Sequence, residues 1–377
     1  MSAEAKNAEA KNAEAKNAED GQILPPGSVI GILGGGQLGR MSALAAGRLG
    51  YKVHIFSPEK DGPAAQVSWK NTVADYTDLA ALEAFAKSVD VVTFEFENIP
   101  AASAEILAKV KPTRPAPRVL HITQERLREK RFLESIGVPV TAFREVKSAA
   151  ELPAAVAALG TPSILKSASF GYDGKGQVRI EAGMDLADAW KKMGGTIAIL
   201  EGFIDFDCEI SVIVARNPQG QIALYEPARN HHKHHILDTS TVPAGVGAKV
   251  SHAAEAIARQ IAAEIDLIGL LAVEMFVTKD GKVLVNELAP RPHNSGHWSQ
   301  DGAVTSQFEQ HVRAVCGLEL GNPARHSDTV MTNLIGDEVE TWPQLLADPD
   351  VKLHLYGKAE ARPGRKMGHW NRIKPKG

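Results

Sequence analysis

The sequence predicts an α/β fold that continues into an α+β fold, with a small C-terminal portion. Between residues 29 and 94, short apolar runs alternate with helical stretches, and this β-α-β-α-β order is typical of a parallel, doubly wound sheet. From about residue 123 to residue 318, turn signals separate several further strands, which predicts antiparallel pairing. The length of 377 residues exceeds one ordinary core, so we expect two or three domains.

The first 27 residues are expected to lie outside the folded domains. The segment Ala-Glu-Ala-Lys-Asn occurs three times between Ala3 and Asn17. Its composition favours helix, but the repeat has no apolar face to bury. The segment Leu-Pro-Pro-Gly-Ser at residues 24–28 marks the start of folded structure. We therefore predict a disordered leader at residues 1–27.

The strands and helices are predicted from apolar runs and from the Gly, Pro and polar residues that separate them. In the first unit, strands are predicted at residues 29–33, 52–56 and 89–94, helices at 37–49 and 78–87, and a closing proline-rich stretch at 111–118. A charged helix at 124–135 opens the middle section. It is followed by predicted strands at 163–167, 177–180, 197–201, 209–215, 222–226, 271–278 and 282–286, the last two joined by an Asp-Gly turn. Residues 319–377 are predicted to be loop-rich and basic.

Composition excludes several classes of protein. The formal net charge of −3 gives no basic field, so nucleic acid is not an expected partner. No secretory segment and no apolar run of membrane-spanning length is present, which predicts a cytoplasmic protein without membrane contact. The two cysteines, Cys208 and Cys316, are expected to be free and buried. Cys208 is disfavoured as a nucleophile because the neighbouring carboxylates Asp207 and Glu209 raise a thiol pKa.

A glycine loop, Gly34-Gly35-Gly36-Gln37-Leu38-Gly39, follows the first predicted strand and opens the first helix. Such a loop can bring backbone N–H groups to an anion. It fits a dinucleotide-binding fingerprint formally, but only Glu59, beyond a proline, follows the second strand. Phosphate or substrate binding, a nicotinamide cofactor and a structural turn all stay open on this motif.

A second glycine loop suggests a nucleotide. Lys166 ends a predicted strand, and Gly171-Tyr172-Asp173-Gly174-Lys175-Gly176-Gln177 follows it. A glycine loop can cover a triphosphate while lysines neutralise its charge. The loop leads into a strand and lacks the Gly-Lys-Ser/Thr ending, so it is not a Walker A loop. A plain hairpin turn is the structural alternative.

Carboxylates within apolar strands predict a metal site. Glu274 and Glu287 lie in two apolar segments, and Asn286 precedes the second. Burying such groups is costly unless they are paired or bind a cation, and oxygen ligands suit Mg²⁺. The alternative is a pair of salt bridges, in which Arg291 could take part. At another strand end, the backbone near Glu201 could meet adenine and a nearby carboxylate such as Glu209 could meet ribose, although a glutamate at a strand end is more often solvated.

Donors cluster in three further segments. Residues 291–297 read Arg-Pro-His-Asn-Ser-Gly-His, residues 229–235 contain four histidines, and residues 356–369 are strongly basic. The histidine spacing does not fit a zinc site, so anion and nucleotide contacts are favoured. The basic segment could bind a phosphate monoester, or it could be a solvated tail.

The ordered set of motifs resembles a known family. Seven motifs occur together in the chain. They are a strand followed by Gly-Gly-Gly-Gln-Leu-Gly-Arg, then Phe94-Glu95-Phe96-Glu97-Asn98, and then residues 171–177, 201–204, 272–276, 286–290 and 362–369. In this order they are similar to the 5-(carboxyamino)imidazole ribonucleotide synthases, ATP-grasp ligases of bacterial and fungal purine biosynthesis, from about Val29 to Ile373. The resemblance implies an ATP-grasp fold: a Rossmann-like pre-grasp domain at 28–122, an ATP-grasp domain at 123–318 and a substrate-completing domain at 319–377.

The resemblance also implies ligands for particular residues. ATP would contact Arg126, Lys166, Gly171, Tyr172, Asp173, Gly174, Lys175, Gly176, Gln177, Glu201, Gly202, Phe203, Ile204, Glu209, His232, Asn286 and Glu287. Mg²⁺ would bind Glu274 and Glu287. The aminoimidazole ribonucleotide would contact Gln37, Leu38, Glu97, Asn98, Asn294, Ser295, Lys358 and Arg365, and the catalytic groups would be Arg291, Lys175 and Asp173. A homodimer, and functional coupling to a downstream mutase, are also implied.

The implied reaction carboxylates aminoimidazole ribonucleotide with bicarbonate through carboxyphosphate, at the expense of ATP. The sequence departs from the family at Ser167-Ala168-Ser169, where an Arg is usual, and at His235, where Gly is more common. The nearest enzymatic alternative is another ATP-grasp ligase, such as the formate-using glycinamide ribonucleotide transformylase. A nucleotide-binding regulatory module that has lost catalysis is the alternative of another class.

Overall fold

The computed structural model describes residues 22–169 and 176–377. The strands are β1 (Val29–Leu33), β2 (Lys52–Ser57), β3 (Lys70–Val73), β4 (Val91–Phe94), β5 (Phe143–Val146), β6 (Ser163–Ser167), β7 (Gln177–Ile180), β8 (Ala198–Gly202), β9 (Phe206–Arg216), β10 (Ile222–Leu224), β11 (Ala228–Lys233), β12 (Ile236–Val242), β13 (Gly269–Thr278), β14 (Val283–Ala289), β15 (Ser327–Ile335), β16 (Val351–Leu355) and β17 (Lys366–Pro375).

The helices cover the faces of these sheets. They are α1 (Gln37–Arg48), α2 (Leu79–Lys87), α3 (Ala101–Val110), α4 (Pro117–Thr123), α5 (Arg126–Ser135), α6 (Leu152–Leu159), α7 (Leu186–Met193), α8 (Ala248–Glu264), α9 (Ser299–Gly302), α10 (Gln307–Val315) and α11 (Trp342–Leu346). Among the residues described, no helix is both long and apolar enough to cross a bilayer.

Three sheets organise the chain. The first has four parallel strands in the order β3-β2-β1-β4, which confirms the predicted parallel sheet. The second is antiparallel in the order β5-β8-β6-β7. The third has nine strands in the order β14-β13-β9-β11-β12-β15-β17-β16, with β10 on β9. The second half of β13 and the first half of β14 alternate buried and half-buried positions, as expected when one face meets the core and the other meets a cavity.

The C-terminal segment differs from its prediction. Residues 319–377 were expected to be loop-rich, and this is wrong because β15, β16 and β17 extend the large sheet. β15 pairs with β12 and β17 pairs with β15. β15 and β17 are rich in polar residues and have no regular alternation of apolar and polar positions, so they carry only a weak strand signal.

The segment before β1 is held by the fold. Leu24 N–H donates to the carbonyl of Cys316 at 2.9 Å, and Tyr51 Oη donates to the Leu24 carbonyl at 2.7 Å. The part of the predicted leader at residues 22–27 therefore packs on the protein, whereas residues 1–21 lie outside the described ranges. Both cysteines are buried and free, as predicted.

The cores cross the predicted domain limits. One cluster of buried side chains combines α1 and β2 with α10, through Met41, Ile55, Phe308 and Val312. Another packs α8 against β9, β13 and β14. The small antiparallel sheet has its own cluster, which includes Leu165, Trp190 and Leu200. The first and last parts of the chain are thus one packed body, to which the small sheet adds a separate core.

Candidate active site

A cavity of about 640 Å³ lies where the three sheets meet. Its volume is typical of a site for a small molecule. Residues from all three predicted domains reach it. Of the predicted site residues, it is lined by Gln37, Leu38, Glu97, Asn98, Arg126, Lys166, Gln177, Glu201, Gly202, Phe203, Ile204, Glu209, His232, Glu274, Asn286, Glu287, Arg291 and Asn294.

Other predicted residues lie elsewhere. Gly171, Tyr172, Asp173, Gly174 and Lys175 fall outside the described residues, so their roles stay predictions. Gly176, Ser295, Lys358 and Arg365 do not line the cavity. Ser295 is buried, and its hydroxyl oxygen lies 2.7 Å from the hydroxyl oxygen of Ser211 and 2.9 Å from Nδ1 of His293.

Glu201 joins two lysines at one end of the cavity. It lies on β8, opposite Ile164 of β6, and its carboxylate forms an ion pair with Lys166 of the same sheet. Its other oxygen lies 3.3 Å from Nζ of the buried Lys130 on α5. Burial opposes ionisation, but the two lysines outweigh it and lower the pKa of Glu201 to about 2. Lys166 is therefore held in place by a permanent negative charge.

Glu274 and Glu287 lie side by side on adjacent strands of the large sheet. They are register partners on β13 and β14, so both side chains project from neighbouring positions. His293 Nε2 lies 3.1 Å from Glu274, and Arg126 Nη1 lies 3.0 Å from Glu287. Burial, followed by the charge of Glu287, raises the pKa of Glu274. Glu274 is 15% exposed and Glu287 is 40% exposed, so each carboxylate has a protein partner and is also open to the cavity.

Arg291 does not pair with these two carboxylates. Its Nε and Nη2 atoms donate to both oxygens of Glu97, at 2.5 Å and 3.0 Å. The alternative in which Arg291 forms a salt bridge with Glu274 or Glu287 is thus wrong. Burial raises the pKa of Glu97, but Arg291 outweighs that effect and the net pKa is lowered. The bidentate pair joins the first sheet to the 291–297 loop.

The glycine loop before α1 holds an internal carboxylate. Glu95, which follows β4, accepts hydrogen bonds from the N–H groups of Gly36 and Gly39. A Cβ atom at Gly34 would clash with the Glu95 side chain, which explains the glycine there. Glu95 takes the place at this turn that a cofactor pyrophosphate would occupy. The structure therefore disfavours the dinucleotide interpretation, and leaves Gln37 at the cavity wall.

The four-histidine segment forms a hairpin next to the cavity. His232 Nδ1 on β11 lies 2.9 Å from Glu209, whose charge outweighs burial and raises the pKa of His232. His234 and His235 form the two-residue turn between β11 and β12, with φ angles of 50° and 65°. Glycine adopts these angles without strain, whereas His234 and His235 carry a Cβ atom that disfavours them.

The basic C-terminal segment contributes a different residue from those predicted. Lys366 of β17 lines the cavity, whereas Lys358 donates to the Lys366 carbonyl at 2.7 Å and Arg365 to the Glu360 carbonyl at 3.0 Å. Burial, then Arg365 and Lys366, lower the pKa of Lys358 to about 8. Lys358 thus stands behind Lys366 in a crowded positive region.

Several lining residues escaped prediction. Glu95, Glu129 and Lys366 line the cavity, and none was assigned a role in it. Glu129 lies inside a charged helix, where a buried carboxylate resembles a solvated one in sequence. Glu95 stands within the Phe-Glu-Phe-Glu-Asn motif, and its alternation with Glu97 could have indicated that both project to one side.

Three domain families match consecutive parts of the chain. The ribonucleotide synthetase preATP-grasp domain matches residues 28–124, the ATP-grasp domain 131–308, and the phosphoribosylaminoimidazole carboxylase C-terminal domain 329–376. With a cavity lined by Lys166, Glu274 and Glu287, these matches define an ATP-grasp ligase. The predicted fold class and enzyme class are confirmed.

Relatives narrow the class to one family. The N5-carboxyaminoimidazole ribonucleotide synthase of Brucella melitensis is 50% identical over 356 residues, covering 94% of this chain and 98% of its own. The Bacillus subtilis enzyme of the same name is 46% identical, with 92% of each chain covered. The chain belongs to the N5-carboxyaminoimidazole ribonucleotide synthase family, and it is an ATP-dependent ligase of purine biosynthesis.

Solved structures agree with this assignment. The Staphylococcus aureus N5-carboxyaminoimidazole synthetase complexed with ADP has a TM-score of 0.90 at 36% identity, with 94% of this chain and 95% of that chain covered. The Aspergillus clavatus N5-carboxyaminoimidazole synthase, in complex with ADP and 5-aminoimidazole ribonucleotide, has a TM-score of 0.88 at 30% identity, with 93% and 94% covered.

Proposed function

We propose that this cavity carboxylates 5-aminoimidazole ribonucleotide with bicarbonate, using ATP and Mg²⁺ and passing through carboxyphosphate. The observation that carries the proposal is the Glu274–Glu287 pair, placed in one cavity with Lys166 and Glu201. A carboxylate pair facing a cavity lysine suits phosphoryl transfer, because developing charge on phosphate oxygens needs fixed cations.

The charge of the cavity supports a divalent cation. Among the described residues, seven carboxylates but four Lys and Arg side chains line it. A triphosphate would add further negative charge, so cations must accompany the nucleotide. Glu274 and Glu287 would hold Mg²⁺, with the Asn286 amide beside them. When bound, the metal would neutralise phosphate oxygens during transfer.

The nucleotide would lie toward the small sheet. Lys166 and Arg126 have the acidic partners Glu201 and Glu287, and phosphate oxygens would compete for the same donors. Residues 201–204 would meet the base, and Glu209 the ribose hydroxyls. The 171–177 loop would cover the phosphates and exclude water from the labile mixed anhydride.

The second substrate would lie toward the first sheet and β17. Asn294 lines the cavity, and within the described residues both its amide nitrogen and its amide oxygen are buried without a protein partner. Leaving both atoms unpaired is costly, which is expected of a group that meets a ligand. Gln37, Leu38 and Lys366 would meet the ribonucleotide, with Lys358 behind them.

The chemistry follows from this placement. A bicarbonate oxygen attacks the γ-phosphorus, the bond to ADP breaks, and carboxyphosphate forms. The amine of the ribonucleotide then attacks the carboxyl carbon, phosphate leaves, and the amine loses its proton. Arg291 stabilises the developing charge from the loop that also carries Asn294.

An ADP-release assay tests this function. We expect ADP release to require both bicarbonate and the ribonucleotide, and Glu287→Gln to lower kcat/KM at least about 100-fold. Glu226→Gln is the control, because Glu226 pairs with Arg325 outside the cavity lining. ADP release that ignores the ribonucleotide, or that depends on formate instead, would contradict the proposal.

The wider expectations are also proposals. Domain limits at residues 28–122, 123–318 and 319–377 agree broadly with the three matched ranges. Two buried free thiols suit a reducing cytoplasm. A homodimer and coupling to a mutase that consumes the unstable carbamate rest on the resemblance, and light scattering tests the first of these.

A further inference from the structure

A buried glutamine holds the loop at residues 293–297. Gln307 is the first residue of α10 and is 0% exposed. Its Oε1 accepts from His293 N–H at 2.9 Å, and its Nε2 donates to the His293 carbonyl at 2.7 Å. Backbone N–H and C=O groups have fixed roles, so these two contacts fix which end of the amide is the donor.

The same Nε2 atom also meets the ring of His297. The distance from Gln307 Nε2 to His297 Nδ1 is 2.9 Å. Because Nε2 is a donor, Nδ1 must present a lone pair. The ring is then neutral and carries its proton on Nε2. Burial, followed by the charges of His354, Lys366 and Arg291, keeps the pKa of His297 well below its usual value, in agreement with a neutral ring.

The surroundings fix the ring at the cavity wall. His297 lines the cavity and lies 5.4 Å from the Phe308 ring and 4.7 Å from the His369 ring, measured between centroids. Asn371 of β17 donates to the His297 carbonyl at 3.1 Å. Within the described residues, no protein group forms a hydrogen bond with Nε2, so its proton is available to a ligand.

The residues around the start of α10 allow a close contact between Gln307 and the 293–297 loop. Ser299 Oγ donates to the Gly296 carbonyl at 2.6 Å and accepts from Gln307 N–H at 2.9 Å. A Cβ atom at Gly296 would lie 2.6 Å from Gln307 Oε1. The glycine therefore lets the loop approach the glutamine, and the two hydrogen bonds with the backbone of His293 fix the orientation of the amide.

We propose that Gln307 is a positioning residue that fixes His297 as an Nε2–H donor to the second substrate. This inference rests on the proposed function for the identity of that substrate, an imidazole ribonucleotide. The contacts of His297 described above are to Gln307 and Phe308 of α10 and to His369 and Asn371 of β17, the strand that also carries Lys366, and none of them is to the small sheet. The proton of His297 would meet an oxygen or an unprotonated ring nitrogen of the ribonucleotide, and ATP binding would not depend on it.

The substitution that tests this role is Gln307→Glu. A carboxylate at this position can only accept, so His297 must protonate Nδ1 to keep the contact. Gln310→Glu is a matched control, because Gln310 is equally buried on the same helix. It exchanges two hydrogen bonds with the backbone of Gly321, at 2.8 Å and 2.7 Å, outside the cavity lining.

Two readouts decide the matter. In ¹⁵N-histidine spectra, assigned with His297→Gln, we expect His297 of the unaltered protein to be protonated on Nε2 alone, and Gln307→Glu to protonate Nδ1. We expect Gln307→Glu to raise the KM for the ribonucleotide about tenfold and to leave the KM for ATP unchanged, while Gln310→Glu changes neither.

The contrary results are distinct. A His297 protonated on Nδ1 in the unaltered protein overturns the proposal, even if Gln307→Glu fails to fold. Equal rises in both KM values, or a rise with Gln310→Glu as well, would show a merely structural role. If the unaltered protein shows no ribonucleotide-dependent turnover, the proposed function is refuted. The spectrum still tests separately whether Gln307 fixes the proton of His297 on Nε2.

Discussion

At the scale of single residues, charge is arranged in fixed pairs. Arg291 with Glu97, Arg126 with Glu287, and Lys166 with Glu201 each place a cation of the cavity on a carboxylate. Such pairs hold side chains in place before substrate arrives, which reduces the entropy lost on binding. Lys358 differs, because its nearest hydrogen-bond partner is a carbonyl.

Lys358 gives the enzyme an expected pH dependence. Its pKa is about 8, lowered by burial and by Arg365 and Lys366 and partly restored by Glu95 and Glu59. Below this pH the amine is charged and, in the proposed arrangement, would attract the ribonucleotide phosphate from behind Lys366, and above it the charge is lost. We expect kcat/KM for the ribonucleotide to fall as pH rises above about 8.

Lys358→Arg supplies the comparison for this profile. A guanidinium stays charged throughout the range, so the fall should disappear while activity near neutral pH is largely kept. Steady-state kinetics between pH 6.5 and about 9.5 measure both profiles. The same fall in both proteins would show that another group titrates.

At the scale of elements, the turn between β11 and β12 carries strain. His234 and His235 both have positive φ angles, which non-glycine residues adopt at a cost of about 1 kcal/mol each. We expect His235→Gly to raise the free energy of unfolding by about 0.5–1 kcal/mol. Denaturant titration measures the gain, and His235→Ala should show none because it keeps the Cβ atom.

Sequence patterns reveal apolar elements better than polar ones. β1 was predicted to the residue and β9 and β13 within a few residues, because long Val and Ile runs are buried there. β3 was missed, since Lys-Asn-Thr-Val is short and polar. β15 and β17 were missed because polar residues such as Asn333 and Asn371 occupy buried positions in them, and pairing of β15 with β12 and of β17 with β15 decides the structure.

The candidate site shows the same limit. Side chains that follow apolar strands or stand in glycine loops could be found from sequence, and most of them line the cavity. The contacts of Glu95, Gln307 and Lys366 depend on segments that are distant in sequence. A single sequence does not reveal such contacts, because their chemistry is ordinary until folding brings the partners together.

At the scale of the molecule, the C-terminal segment completes the large sheet. Met331 of β15 is fully buried, and Asn333 donates to the Leu237 carbonyl of β12 at 2.8 Å. A chain ending at Leu318 would expose the β12 edge and the apolar cluster beneath it, which favours aggregation. We expect this truncated protein to be insoluble or unfolded, as judged by size-exclusion chromatography and circular dichroism.

Removal of residues 376–377 provides the control for that truncation. Both residues are exposed and follow β17, so this shorter deletion should leave folding intact. A soluble, cooperatively folded protein ending at Leu318 would contradict the expectation, and it would show that the large sheet tolerates an open β12 edge.

The continuity from β12 to β15 also determines which parts of the enzyme can move. One hydrogen-bonded sheet carries both the carboxylate pair and Lys366, so these two walls of the cavity travel together. The small sheet shares no ladder with the large one in the described residues. It is joined to the rest by the backbone before Phe143 and by the residues between β8 and β9. We therefore expect a change in the width of the cavity mouth to come from rotation of the small sheet about these two connections.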